Sequence, residues 1–314
     1  MDDQLNKLEI LFLYETSYNI PNGDPFTGEQ RYDEETKKIL VSDVRIKRFV
    51  RSYLEEMKMP VYVSDKTGAG KTDSKRVLQW IAENRNPKRL LDIAELLKEQ
   101  IDVRLFGGIS TLGDDAKKIM VDGKPMKNGH TQFTGPVQFA LLNPSLNEVN
   151  LRMHQNTTHF TSDAEKTQGS IGTTTIVPYS LIQIHGWVNP TVAEMTGMTR
   201  RDLELMYKGL WYGTSGEGSS HSRSKVGQNS VLLLEIAYSG KNQKIYGVDR
   251  LIELNPKGDK KGEQIRNMDD YELDFSKLME TAASEKVEKI KFYTEIDAIK
   301  TKLDGKSKFE AMKL

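Results

Sequence analysis

Six segments of the chain carry the periodic apolar pattern that a core requires, and their order constrains the fold more than any other feature. Leu8 to Tyr14 (LEILFLY) is a short apolar run that reads as a buried central strand. In SDVRIKRFVRSYLEEM, the residues Ile46, Phe49, Val50, Tyr53, Leu54 and Met57 follow the i, i+3, i+4, i+7 spacing of an amphipathic helix. Strand patterns return at GPVQFALLN and IVPYSLIQIHGWVNP. A second helix is expected in TRRDLELMYKGLWYG, where Thr199 and Asp202 occupy capping-box positions and Leu203, Met206, Tyr207, Leu210 and Trp211 form one stripe. SVLLLEIAY closes the set as a further apolar strand.

Strand, helix, strand, strand, helix, strand is the split βαβ order of ferredoxin-like folds, so the expected class is α+β with long insertions. Pro60 to about Gly129 is charged and glycine-punctuated, and reads as an insertion rather than a continuation of the sheet. LRMHQNTTHFTSDAEKTQGSIGTTT is a polar arm with few apolar residues to bury, which would project from the strands that flank it. From about Lys241 the chain adds mixed strand and helix, to which the residues assign no specific role.

Lysine plus arginine number 45 and aspartate plus glutamate number 45, so the formal net charge is zero and no global field drives adhesion to a polyanion. Any anion site must come from local clustering. The absence of cysteine removes disulfides, thiol chemistry and cysteine-ligated zinc. The N-terminus MDDQLNKLEILFLYE has acidic residues where a signal peptide needs basic ones, and its apolar run is too short for a bilayer, so a soluble cytoplasmic protein with no membrane partner is expected.

VSDKTGAGKTDSKRVLQWIAE, from Val63 to Glu83, has the local look of a phosphate-binding loop, with Gly70, Lys71 and Thr72 ahead of a helical pattern. The full motif fails at Asp65, where a carboxylate would repel the phosphates, and the nearest magnesium-binding companion, Glu235, looks like any buried strand end. A nucleotidase is therefore the weaker alternative. The histidines support no catalytic centre either. His154 and His159 have no metal-ligand spacing, His185 lies within a strand pattern as a structural residue, and His130 and His221 sit in loops without a partner. No nucleophile elbow is present.

Cations are better organised. Arg45, Lys47, Arg48 and Arg51 share the outer face of the first helix, Lys66 to Arg76 form a basic loop, and His221, Arg223 and Lys225 lie in the Gly/Ser-rich stretch TSGEGSSHSRSKVGQ. Three separate clusters suit a polyanion better than one nucleotide. No aromatic RNP signature is present, so bound RNA would lie along helix faces, loops and arms rather than on the sheet.

NIPNGDPFTGEQRYDEETKKILVSDVRIKRFVRSYL, DVRLFGG, FTGPVQFALLNPS and GTSGEGSSHSRSK together strongly resemble the CRISPR-associated Cas-seven family, with the greatest likeness to the Csd/Csh-type backbone subunits of type I Cascade, subtype I-B. The resemblance runs from Leu8 to about Tyr238. It implies a modified RRM-like palm (βαββαβ) with a large finger insertion and a projecting thumb. The expected division is palm over 1–59, 130–150 and 176–254, fingers over 60–129, thumb over 151–175 and a C-terminal extension over 255–314.

The same resemblance implies a non-enzymatic subunit, with no cofactor and no metal, that binds crRNA and stacks head to tail with further copies of itself. Its other partners would be Cascade subunits of the Cas-five, Cas-six and Cas-eight types and the target DNA. Carried onto this chain, the family pattern nominates Arg45, Lys47, Arg48 and Arg51, the turn residues Arg104, Gly107 and Gly108, and the loop residues His221, Arg223 and Lys225 as RNA contacts. Met153, His159 and Phe160 fall in the thumb. Asn22, Gly23 and Asp24 mark a signature turn with an architectural role. A target-RNA endoribonuclease like that of type III complexes is the other alternative, with Asp24 and Asp43 as its weak suspects.

Overall fold

Leu8–Asn19 forms β1, the strand around which a seven-stranded sheet is built in the computed structural model. The structure describes residues 5–64, 76–78, 80–81, 93–111, 120–121, 124–125, 130–157, 171–215 and 225–314. β1 has antiparallel neighbours on both edges: β3 (Ile171–Val188), in register from Leu8 opposite Val188 to Asn19 opposite Val177, and β4 (Gln228–Tyr238). A short strand β2 (Val137–Phe139) pairs with the far edge of β3. Between β1 and β2 runs helix α1 (Asp43–Glu56), and between β3 and β4 runs α2 (Arg200–Thr214). The order across the sheet is thus β2, β3, β1, β4, each pair antiparallel, with both helices as crossovers.

Strand alternation divides β1 between two cores. Ile10, Phe12 and Tyr14 face α1 and α2, where Ile46, Phe49, Val50 and Leu54 meet Leu203, Met206, Tyr207, Leu210 and Trp211. Leu11 and Leu13 face the other side, where they pack with Leu234, Ile236, Leu273, Phe275 and Leu278. A residue run that is apolar at every position is what a strand covered on both faces needs. The second cover comes from the C-terminal region. It also adds β5 (Val287–Tyr293), antiparallel to β4, and β6 (Phe309–Ala311), parallel to β5.

The two helices touch through glycine. A Cβ on Gly209 would stand 2.9 Å from Val50 Cα, and one on Gly213 would stand 2.5 Å from the Phe49 carbonyl oxygen. Only a missing side chain lets the backbones approach this closely. α2 starts where expected, since Thr199 and Asp202 close a reciprocal capping box.

At the described ends of the polar arm, Arg152–Thr157 pairs antiparallel with Ile171–Ile176 of β3, and 158–170 lie outside the described residues. The phosphate-loop look-alike lies largely outside the described residues, as 65–75 are not described.

Candidate nucleic-acid interface

The cationic face of α1 is not a plain solvated stripe. Arg51 Nε lies 2.9 Å from Asp102 Oδ2, and that carboxylate, fully buried, also accepts from the backbone N–H of Tyr62 at 2.7 Å and of Val63 at 3.2 Å. Lys47 pairs with Asp43 at 3.0 Å, one helical turn away, and Arg48 with Glu55 at 3.5 Å. A helix wheel shows these residues pointing away from Phe49 and Val50, but it cannot show that the chain returns at 102 to meet them. Met57, expected on the apolar stripe, is half exposed because it follows the last turn as the C-cap.

Arg45 differs from its neighbours. Its guanidinium carbon sits 4.3 Å from the centroid of the Phe49 ring, and the same ring meets Tyr14 edge-on at 5.8 Å. Burial holds the Arg45 pKa below its ordinary value, and the charge of Arg48 adds to the effect. Lys225, at the end of the Gly/Ser-rich stretch, donates from Nζ to the Ile20 carbonyl. Burial first, and then the charge of Arg45, lower its pKa to about 8.

Two of the three cationic segments therefore converge where α1 begins, β1 ends and β4 starts. Neither Arg45 nor Lys225 has a carboxylate partner among the described residues. Three buried groups able to donate from the same region, Tyr14 Oη, Arg45 Nε and Thr214 Oγ1, lack a hydrogen-bond partner among the described residues as well. Burying charge without a counter-ion is unfavourable, so the arrangement favours an anion with several acceptor oxygens.

The turn before α1 holds this corner in place. Asn22 Oδ1 accepts from the backbone N–H of Ser42 at 2.6 Å, and Gln30 Oε1 accepts from that of Asn22 at 2.8 Å. Asp24 is absorbed locally. Its Oδ1 accepts from Phe26 N–H at 2.9 Å, and Arg31 lies 3.2 Å from its other oxygen.

Residues 6–276 match the family model described as CRISPR-associated protein Cas7. The chain belongs to the Cas7 family. It is 30% identical over 293 residues to the CRISPR-associated protein Cas7 of Haloferax volcanii, an alignment covering 88% of this chain and 83% of that relative. Two solved chains share the fold at low identity. One, from a CRISPR RNA-guided surveillance complex, pre-nicking, has a TM-score of 0.53 at 11% identity and covers 98% of this chain and 96% of its own. The other, from a CRISPR RNA-guided surveillance complex, has a TM-score of 0.51 at 12% identity, with 98% and 95% covered.

In this Cas7-family chain the RLFGG turn is built around backbone contact. Arg104 forms a two-pronged pair with Asp202, Nε to Oδ2 at 2.9 Å and Nη2 to Oδ1 at 2.6 Å, and Nη1 donates to the carbonyls of Lys98 and Glu99. Its guanidinium thus ties the inserted segment to the capping box of α2. Gly107 has φ of 82°, and a Cβ there would lie 2.3 Å from the Phe133 carbonyl oxygen, so no L side chain fits. Gly108 packs against Val103.

Met153 is exposed on the arm of the Cas7 hairpin, while His159, Phe160, His221 and Arg223 lie outside the described residues. Glu235 is buried and held by Tyr207 Oη at 2.6 Å and Arg200 at 2.8 Å. His185, read as structural, meets the buried carboxylate of Glu9 at 2.7 Å. Asp102 has no periodicity or motif to announce it, and the capping-box position of Asp202 announces a helix start but not its pairing with Arg104.

Proposed function

We propose that this Cas7-family chain is a non-catalytic crRNA-binding subunit that stacks head to tail with further copies along the guide and forms the backbone of a type I Cascade complex, subtype I-B. Such a heterologous contact does not close on itself, so the guide's length sets the number of copies. Subunits of the Cas-five, Cas-six and Cas-eight types would complete the assembly in the cytoplasm. Base pairing by the guide would read the target DNA, and the protein would contact backbone and shape.

The observation that carries the reading is the pair Arg45 and Lys225, two half-buried cations from different elements without a carboxylate partner among the described residues. A guide phosphate between them would supply the missing charge and accept from the unpartnered donors. Lys47 and Arg48 extend the surface along α1, and Arg223 and His221, which lie outside the described residues, belong to the same sequence stretch as Lys225. Arg51 and Arg104 act as positioning residues, because both are committed to Asp102 and Asp202.

The strand order β2, β3, β1, β4 supports an RRM-like palm, with the fingers inserted after α1 and the thumb as the arm of β3. The usual RNA-binding face of such a sheet is largely packed under the C-terminal region, which favours RNA on the helix and loop side. The ribonuclease alternative gains no support from Asp24 or Asp43, each held by a neighbouring cation.

The test is the RNA that copurifies with the Arg45→Ala, Lys225→Ala double variant. Wild type should carry a discrete guide-sized RNA and the double variant, equally folded by circular dichroism, should not. A double variant that retains full-length guide at wild-type yield would overturn the assignment.

A further inference from the structure

The C-terminal cover does not extend over the whole sheet. On the face of β3 opposite the helices, Tyr179 and Leu181 are packed under it, and Gln183 Nε2 still reaches the Asp249 carbonyl, but the next two residues on that face, His185 and Trp187, emerge into a cavity of about 840 Å³. Residues 244–250 and 252–255 form its other wall.

Trp187 leans on the His185 ring with centroids 4.1 Å apart, and His185 is itself fixed by Glu9, whose second oxygen accepts from Tyr238 Oη at 2.6 Å. The indole is thereby held rigidly while 38% of Trp187 stays exposed. Across the cavity stands Tyr246, 84% exposed, with the Arg250 guanidinium 4.9 Å from its ring centroid. The lining adds Lys38 and Lys244, and its remaining ion pair, Lys277 with Glu253, is internally neutral. Three cations then face one unpaired carboxylate, Asp249. Deeper in, Gln183 is nine-tenths buried, and its Oε1 has no hydrogen-bond partner among the described residues.

We propose that this cavity is a second nucleic-acid site, which takes an unpaired base of a single strand between Trp187 and Tyr246. Aromatic faces beside arginine and lysine are the chemistry that holds unstacked bases without regard to sequence. The free oxygen of the Gln183 amide offers an acceptor to a donor on the base edge, such as thymine N3–H. The site lies on the sheet face opposite α1 and α2, so it is separate from the Arg45 and Lys225 surface and does not depend on it.

The test is fluorescence anisotropy of a short labelled oligodeoxythymidylate, unable to pair with the guide, titrated with the purified protein together with whatever RNA it carries. Trp187→Ala and Tyr246→Ala should each bind the strand roughly five- to 150-fold more weakly, the range measured for loss of one base–aromatic stack. Trp187→Phe should retain most of the affinity, and guide RNA should copurify with all three variants. Tyr246 is a surface residue, so its variant reads the site even where Trp187→Ala is poorly folded. Unchanged affinity in both alanine variants would overturn the proposal, and so would loss of the guide from Tyr246→Ala, which would assign the cavity to the guide itself. Wild type free of guide RNA would count against the proposed function and leave this titration readable.

Discussion

Arg51 and Asp102 join α1 to the later part of the insertion, Nε to Oδ2 at 2.9 Å, across 51 positions of sequence. The carboxylate is wholly buried and also closes the backbone of Tyr62 and Val63, so three segments depend on one side chain. Asp102→Ala removes the carboxylate that a largely buried guanidinium and the backbone N–H groups of Tyr62 and Val63 donate to. The expected loss is about 3–5 kcal/mol, typical of removing one partner of a buried pair. Urea unfolding followed by tryptophan fluorescence measures it, and a loss below about 1 kcal/mol would contradict this account.

The same pair marks the boundary of what the sequence discloses. The apolar run of β1, the stripe of α1 and the capping box at Thr199 are local patterns, and each states the secondary structure and the buried face on its own. Ion-pair partners are set by tertiary approach, and nothing in the helix pattern distinguishes Arg51, bound to Asp102, from Arg45, which has no carboxylate among the described residues. The convergence of Arg45 with Lys225 was equally invisible, because 180 residues of unrelated pattern separate them. The C-terminal strand VEKIKFY alternates only in part, burying Ile290 and Phe292 in phase and Val287 out of phase where the register shifts between Ala237 and Tyr238, and its place beside β4 follows from a pairing that alternation alone does not specify.

Lys225 gives the interface a pH dependence with a definite sign. Its folded-state pKa of about 8 lies below the ordinary lysine value, so the unfolded chain binds more protons between the two and stability rises as pH increases through that window. RNA binding moves the opposite way, because a phosphate beside Lys225 favours the charged amine and deprotonation removes that contact. Guide affinity should therefore fall between about pH 7.5 and 9, with net proton uptake on binding. Lys225→Arg should flatten the profile, and a wild-type affinity constant across the window would sink the prediction.

Salt reads the same surface independently. Each phosphate contact to a single strand contributes a slope of about −0.7 in log affinity against log salt. The Arg45→Ala, Lys225→Ala variant should lose about 1.4 of that slope, whereas Asp24→Ala should leave it unchanged. Filter binding of guide-length RNA over a range of sodium chloride measures both.

Gly213 sets the separation of α1 and α2. A Cβ would meet the Phe49 carbonyl oxygen at 2.5 Å, and backbone cannot swing aside as a side chain does. Gly213→Ala should cost about 1–3 kcal/mol by overpacking, despite alanine's better helix propensity. Because Phe49 carries Arg45 on its ring face, the variant should also weaken RNA binding, and a stabilised protein with unchanged affinity would show that the helices have room to part.

Asn22 and Asp24 flank Gly23 in one turn but have different roles. Asn22 is buried and its Oδ1 accepts from Ser42 N–H at the start of α1, whereas Asp24 bonds within its own turn at the surface. Asn22→Ala should cost about 1–3 kcal/mol by leaving that donor unsatisfied, and it should loosen the first turn of α1, where Arg45 stands. Asp24→Ala should fold like wild type. The Asp24 carboxyl lies below its ordinary pKa, chiefly through the Phe26 N–H, so its small contribution is present at neutral pH and lost only as pH falls into the acid range. Thermal melts of the two variants at pH 7 separate the roles: equal destabilisation would refute the division, and a shifted melt for Asn22→Ala alone would establish it.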